Sequence, residues 1–398
     1  MLNRRWMRLL ALLLGLSLIA AACGDDDDTA TDTTDDTSSE QTTEEESETT
    51  EETTEDGASG EVASADVSLD DLCAEAEEAG VEVPDDFVVR LITDIGKVDD
   101  RTFNQYAYEG MVAAEECFGF ETSFIETASE ADYARNIATS LEGDPDVLIT
   151  VGFLLATDTL ESAESNPETH FIGIDQFQEE FPENYVGVIF REDEGGCLAG
   201  VAAGLLTETN VVGVVAGRED VPPVVRYVNA YESCAKQVNP EVTVLSIYNE
   251  AFNAPDKGAS DASQFIGEGA DVIFGAGGPT GSGGVVEAAT QGKWAIGVDQ
   301  DEYFSTFDGG SAAGADRLAT SAIKRVDIGV FQNIVAALTG DFTGGLFTLE
   351  AANGGITYAP PHDADVPQEV LDTLEETRLA LAEGTFEIGV DPITGLPN

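Results

Sequence analysis

Short runs of β-branched and aromatic residues alternate along this chain with stretches whose apolar residues recur every three or four positions. The first series of runs is Val88–Ile92, Thr122–Ile125, Val147–Val151, Phe171–Ile174 and Val186–Ile189. Between the first two, Phe103, Ala107, Met111, Ala114 and Phe118 fall at helical spacing. A second series follows at Val211–Ala216, Val242–Ile247, Asp271–Phe274 and Trp294–Val298. Strands alternating with helices predict βαβ units and parallel sheets, an α/β fold.

The two series are in step. Their corresponding starts differ by 123, 120, 124 and 123 residues, and Ile172-Gly-Ile-Asp-Gln176 returns as Ile296-Gly-Val-Asp-Gln300. An internal duplication of this kind predicts two similar lobes. Ligands of open parallel sheets sit beyond the carboxyl ends of strands. The candidates are therefore Thr93-Asp94-Ile95-Gly96, Gly152-Phe153 and Asp175 in the first half. In the second they are Gly217, Tyr248-Asn249, Gly275 to Gly284 and Asp299.

Charge narrows the partners. The 398 residues include 78 acidic and 17 basic ones, for a formal net charge of −61. Binding to nucleic-acid phosphates, which needs Lys and Arg to displace counterions, is excluded. Polybasic docking to anionic lipid is disfavoured. His170 and His362 are the only histidines, too few for a multi-histidine metal site, and neither a metal nor a cofactor is expected.

The first 65 residues read as address and tether. Arg4, Arg5 and Arg8 precede an apolar run from Leu9 to Ala22, a signal peptide too short to span a bilayer. It ends in Ala20-Ala21-Ala22-Cys23, which resembles the bacterial lipobox; lipidation of Cys23 is the expected consequence. From Gly24 to Glu61 there are 17 acidic residues and no Lys, Arg or aromatic. Such a segment stays unfolded and self-repelling, its ends roughly 35–40 Å apart as a loose coil. The remainder, 61 acidic against 14 basic residues, still carries −47.

Cys73, Cys117, Cys197 and Cys234 permit two disulfides in three connectivities. Cys73 and Cys117 lie in neighbouring helical stretches of the first half, Cys197 and Cys234 in two helices of the second. Cys73–Cys117 and Cys197–Cys234 are the pairs this favours, with four buried thiols as the alternative.

Asp94 and Asp99-Asp100 flank a glycine turn before the helix at Thr102-Phe103-Asn104. A ligand loop offering carboxylate, amide and a flat ring is one reading; a helix cap beside a core phenylalanine is the other. Gly275-Ala-Gly-Gly-Pro-Thr-Gly-Ser-Gly-Gly284 matches neither nucleotide fingerprint, and suits close backbone approach to a neutral ligand. Asp299 and Lys324 together suit a sugar diol, with a surface ion pair as the bland counterpart. No G-x-S-x-G or H-E-x-x-H occurs, so a non-enzymatic protein is expected.

Ile92-Thr-Asp-Ile-Gly-Lys-Val-Asp-Asp-Arg-Thr-Phe-Asn-Gln105 resembles the opening signature of the basic membrane lipoprotein (Bmp, PnrA-like) family, lipid-anchored substrate-binding proteins of ABC transporters. Further matches run in order along the chain. They are Glu194-Gly-Gly-Cys-Leu-Ala-Gly-Val-Ala-Ala-Gly204, Pro222-Pro-Val-Val-Arg-Tyr227, Phe252 before Asp256-Lys-Gly258, Gly278-Pro-Thr-Gly281, Ala295-Ile-Gly-Val-Asp299 and Thr320-Ser-Ala-Ile-Lys-Arg325. The resemblance covers roughly 88–360.

It implies a type I periplasmic-binding fold: two Rossmann-like lobes, a hinge and a cleft that takes a nucleoside, mostly purine. Asp94 and Asn104 would meet the base edge, and Phe103 and Phe252 would stack on its faces. Asp299 and Lys324 would hold the ribose hydroxyls, with Gly277 and Gly278 against the sugar. The partners implied are an ABC permease and a membrane reached through lipid alone, the protein being a monomer at the extracytoplasmic face of the cell membrane. Glycine or alanine is the family's residue where Cys197 and Cys234 stand. The segment Asp66–Asp86 precedes the family's usual start and reads as a helical cap. Lobe 1 is expected over 66–189 plus 322–343 and lobe 2 over 190–321 plus 344–398, with crossings near 190, 321 and 344. A ligand-sensing receptor of the same fold and a sugar-binding protein are the alternatives.

Overall fold

The computed structural model describes residues 67–398. The signal peptide, Cys23 and the acidic tether lie outside the described residues. Five strands form the body of a first sheet: β1 (Val88–Ile95), β2 (Glu121–Thr127), β3 (Val147–Val151), β4 (His170–Ile174) and β5 (Tyr185–Phe190). Their helices are α1 (Leu69–Ala79), α2 (Phe103–Phe118), α3 (Tyr133–Ser140) and α4 (Ala156–Ser165). After α5 (Glu192–Leu206) the layout repeats with β6 (Val211–Ala216), α6 (Pro222–Val238), β7 (Thr243–Tyr248), α7 (Pro255–Gly267), β8 (Val272–Ala276), α8 (Gly278–Thr290) and β9 (Trp294–Asp299). A short α9 (Glu302–Ser305), β10 (Leu318–Lys324), α10 (Val326–Thr339), β11 (Gly345–Leu349), β12 (Ile356–Tyr358) and α11 (Gln368–Ala382) complete the chain.

The first sheet runs β11-β5-β4-β3-β1-β2 and the second β12-β10-β9-β8-β6-β7. All pairings are parallel except β10 with β12. These are two copies of one doubly wound order, each reversing direction where its first and third strands meet. The apolar periodicity explains why: β3 and β8 are buried at every position, as central strands covered on both faces must be. On α2 the spacing noted above buries Ala107, Met111 and Ala114.

Two crossings differ from expectation. The first falls at Arg191, but β10 extends the second sheet to Lys324 and β11 pairs with β5 in the first sheet. The other two therefore lie at Arg325 and Glu350 rather than near 321 and 344. Thr320 and Ser321 interrupt the apolar pattern, yet every residue of β10 is buried. Forked ion pairs brace the crossings: Arg191 grips Asp193 with Nε and Nη2, both at 2.8 Å, and Arg325 grips Asp327 at 2.9 Å twice. Arg191 also reaches Glu350 at 3.7 Å, tying the first crossing to the third.

Ser68 caps α1 in a reciprocal pair with Asp71, and the helix covers α2 and α10 as the expected cap. It is fastened by Cys73–Cys117, and Cys197–Cys234 joins α5 to α6, with Cα atoms 5.9 and 5.0 Å apart. The second bond sits where helix backbones touch: a Cβ on Gly196 would lie 2.4 Å from the carbonyl oxygen of Tyr227, and one on Gly200 2.3 Å from that of Tyr231. Serine at both Cys197 and Cys234, 37 residues apart, is expected to lower the unfolding free energy by about 4 kcal/mol through regained loop entropy, as read from a denaturant titration.

Candidate functional site

Where the carboxyl ends of the two sheets face each other lies a cavity of about 380 Å³, within the size range of small-molecule sites. All eight expected ligand residues line it: Asp94, Phe103, Asn104, Phe252, Gly277, Gly278, Asp299 and Lys324. So do the strand-end candidate Asp175, Asp100 of the loop after β1, and Tyr227, to which the sequence assigned no role.

Each lobe builds its wall by the same device. Asp175 directly follows β4 and Asp299 ends β9, both with positive φ, 61° and 65°. Aspartate tolerates that left-handed conformation, which turns each carboxylate out of its strand toward the cleft. The duplicated Gly-x-Asp-Gln segment thus delivers two aspartates to one cavity. Its glutamines diverge. Gln176 folds inward onto Thr150 and the Gly152 carbonyl, whereas Gln300 crosses to the other lobe and donates to the Thr102 carbonyl at 2.9 Å. Arg218 with Glu130, and Arg101 with Asp308 at 3.6 Å, add interlobe pairs at the mouth.

At the floor lies a buried charge network. Lys324 Nζ stands 2.7 Å from Asp175 Oδ2 and 2.9 Å from Glu192 Oε1, and Arg226 bonds Glu192 Oε2 at 2.6 and 2.7 Å. Burial opposes the lysine's charge, but attraction to Asp175, Glu192 and Asp299 wins and holds its pKa above the ordinary lysine value. Its ammonium also lies 5.0 Å from the Phe103 ring centroid and 4.7 Å from that of Phe190, a cation–π arrangement. Two cations thus serve three carboxylates, and Asp299 is the one with no hydrogen-bond partner among the described residues. Burial, against the pull of Lys324, pushes its pKa up to about 7.

The loop after β1 is braced from within. Asp94 Oδ1 accepts from the Tyr133 hydroxyl and from the Ile95 amide, and burial raises its pKa against those bonds. Asn104 accepts from the Asp94 amide at 2.8 Å and donates to Asp100 Oδ2 at 2.9 Å. Asp100 in turn accepts from the amides of Thr102, Asn104 and Gln105, so it caps α2. The loop is therefore cap and cavity wall together. Asn104 lines the cavity while spending its amide on holding the loop, which the spacing alone did not reveal.

From the second lobe, Phe252 lies flat over Gly217, where a Cβ would come within 2.2 Å of its Cε1. A Cβ on Gly277 would fall 2.2 Å from the Gly217 amide nitrogen. These two glycines let the Phe252 ring and the start of α8 close on one another. Phe103 reaches the cavity from α2 and Phe252 from the opposite lobe.

A family model described as "ABC transporter substrate-binding protein PnrA-like" matches residues 87–380. The chain is 33% identical over 324 residues to a protein of Listeria monocytogenes serovar 1/2a named CD4+ T-cell-stimulating antigen, covering 77% of this chain and 89% of that one. It is 27% identical over 348 residues to the ABC transporter nucleoside-binding protein BmpA of Lactococcus lactis subsp. cremoris, covering 82% and 96%. Among solved structures, an ABC transporter solute-binding protein of Aeropyrum pernix K1 superposes with a TM-score of 0.67 over 76% of this chain and 92% of that one. At 24% identity that is a likeness of fold.

Proposed function

The chain belongs to the PnrA-like family of ABC transporter substrate-binding proteins, and from that premise we propose that it captures a purine nucleoside between its lobes and delivers it to an importer's permease. The observation that carries this reading is Asp299, a buried carboxylate facing the cavity with no protein hydrogen-bond partner among the described residues. It accepts from ribose hydroxyls, and Lys324, hydrogen-bonded to Asp175 and ion-paired at 2.9 Å with Glu192, keeps an N–H to donate. The base lies between Phe103 and Phe252, gaining burial and stacking. Asp94 Oδ2 meets its edge, with Asn104 holding the loop behind. The naming of the Lactococcus relative as nucleoside-binding supports the same class. Binding, not turnover, is the function. The lipobox-like Cys23 and the acidic spacer after it support anchoring at the outer face of the membrane.

Calorimetric titration of the detergent-solubilised full chain tests the reading. Micromolar or tighter binding of inosine, guanosine or adenosine, with free ribose silent, is the expected result; silence toward every nucleoside would overturn it. The pH dependence has a definite sign. A protonated Asp299 accepts hydroxyls more weakly and through fewer lone pairs than the carboxylate, and burial pushes its pKa up to about 7 against the pull of Lys324. Affinity is therefore expected to fall as pH drops from 8 to 5, by up to about tenfold per unit below 7. A flat profile would remove Asp299 from the contact.

A further inference from the structure

Tyr227 lines the same cavity, and its hydroxyl has no hydrogen-bond partner among the described residues. Its ring is fixed on two sides. A Cβ on Gly195 would come 2.9 Å from Cε1, and the Phe274 ring meets it edge-on at 6.0 Å. Its backbone is held as firmly, since the carbonyl oxygen abuts Gly196 on α5. The hydroxyl therefore cannot swing away to find a partner. Burial, reinforced by Asp299, Glu192 and Asp175, keeps its pKa well above the ordinary tyrosine value, so it remains an O–H donor.

Around that donor stand acceptors that also lack partners. Asp175 uses Oδ2 on Lys324 and leaves Oδ1 buried and unpaired, and Asp299 has no hydrogen bond to the described protein. Buried polar groups left unpaired are costly, so a fixed orphan donor sharing one cavity with orphan acceptors describes the complement of a missing group. That group must both donate and accept within one small volume. A hydroxyl does this: its proton goes to a carboxylate and its lone pair takes the tyrosine O–H.

We propose that Tyr227 is a specificity residue of this cleft, donating its hydroxyl proton to the oxygen of one ribose hydroxyl whose own proton is held by the Asp299–Asp175 carboxylate pair. The assignment rests on the nucleoside reading and sharpens it. A sugar lacking that hydroxyl leaves the tyrosine and a carboxylate unpaired at once, and is rejected for both reasons. A phosphate ester there brings only negative charge to a cavity already lined by carboxylates, and is excluded.

The test is a ligand cycle on the full chain carrying Tyr227→Phe. Titrations use inosine and its 2′-deoxy, 3′-deoxy and 5′-deoxy analogues. The variant is expected to bind inosine about tenfold more weakly and to bind one of the three deoxy analogues as the parent does, identifying the hydroxyl contacted. Thermal unfolding without nucleoside is expected at the parent temperature or above, because an unpaired buried hydroxyl has been removed. Equal weakening toward all four ligands, or none toward any, overturns the assignment while leaving nucleoside capture standing. A parent chain silent toward inosine and the purine nucleosides overturns both.

Discussion

Asparagine at position 299 is expected to raise the Kd for purine ribonucleosides about a hundredfold or more while leaving the fold as stable as before. Two ribose hydroxyls donating to an ionised group are worth roughly 1.5–3 kcal/mol each, and about 1.4 kcal/mol is a factor of ten. Asparagine keeps the shape and tolerates the positive φ of 65°, but presents an N–H₂ where the carboxylate's second oxygen stood. The fold has little to lose, since the Asp299 carboxylate holds no hydrogen bond to the described residues and sits where burial penalises its charge. A carboxyl whose folded pKa is raised binds more protons folded than unfolded, so it detracts from stability as pH rises from about 4 to 7. Removing it should hold or raise the melting temperature at pH 8. Alanine at 299 should lose binding equally but unfold more easily, because the left-handed backbone favours Asp or Asn. Titration with inosine alongside thermal unfolding checks both statements; undiminished affinity in the asparagine variant would sink the ribose contact.

Lys324 poses the reverse case. Lys324→Met is expected to cost about 3–5 kcal/mol of folding free energy, because it strands Asp175 and leaves Glu192 with Arg226 alone in a region closed to water. Methionine fills the volume and contacts Phe103 and Phe190 equally well, so the loss reads the charge rather than a hole. With the cation gone, the folded pKa of Asp175, already pushed up to about 6 by burial, rises further, and Glu192 loses one of the two cations that hold its own down, so the native state takes up protons. The deficit is then greatest near pH 8 and shrinks toward pH 5. Asp175→Asn added to Lys324→Met should restore part of the loss. Denaturant midpoints at the two pH values distinguish this from a packing defect, which would be indifferent to pH.

Much of the architecture could be read before any coordinates. Val147–Val151 and Val211–Ala216 emerge with the bounds their apolar runs suggested, because a buried parallel strand leaves a continuous hydrophobic signature. Asp299 and its twin Asp175 both followed from the rule that ligands lie beyond strand ends, and Lys324 from the pairing of a carboxylate with an ammonium that suits a diol. The family resemblance added Phe252. What stayed hidden has physical reasons. Thr320 and Ser321 made β10 look like a connection, since a buried hydroxyl with a good partner, such as Thr320 Oγ1 bonded to the Ala359 carbonyl, reads as polar in a sequence. Glu192 opens a helix as a solvated acidic first turn would, yet it is fully buried against Lys324 and Arg226. Partners 132 and 34 positions away leave no local trace. Tyr227 was visible only as part of a match, because an unpaired hydroxyl is a fact of three-dimensional surroundings.

A cleft between two copies of one fold starts with an approximate dyad, and a dyad has no preferred end. The forks Arg191-x-Asp193 and Arg325-x-Asp327 mark corresponding points of the two lobes, and the residue before each is Phe190 in one and Lys324 in the other. That inequality meets itself across the lobes, the ammonium lying 4.7 Å from the ring centroid of its own counterpart. It draws Asp175 into an ion pair and leaves Asp299 open, so two aspartates born equal acquire different chemistry. The site thereby gains a polarity, and a cargo that enters it has one way round to lie.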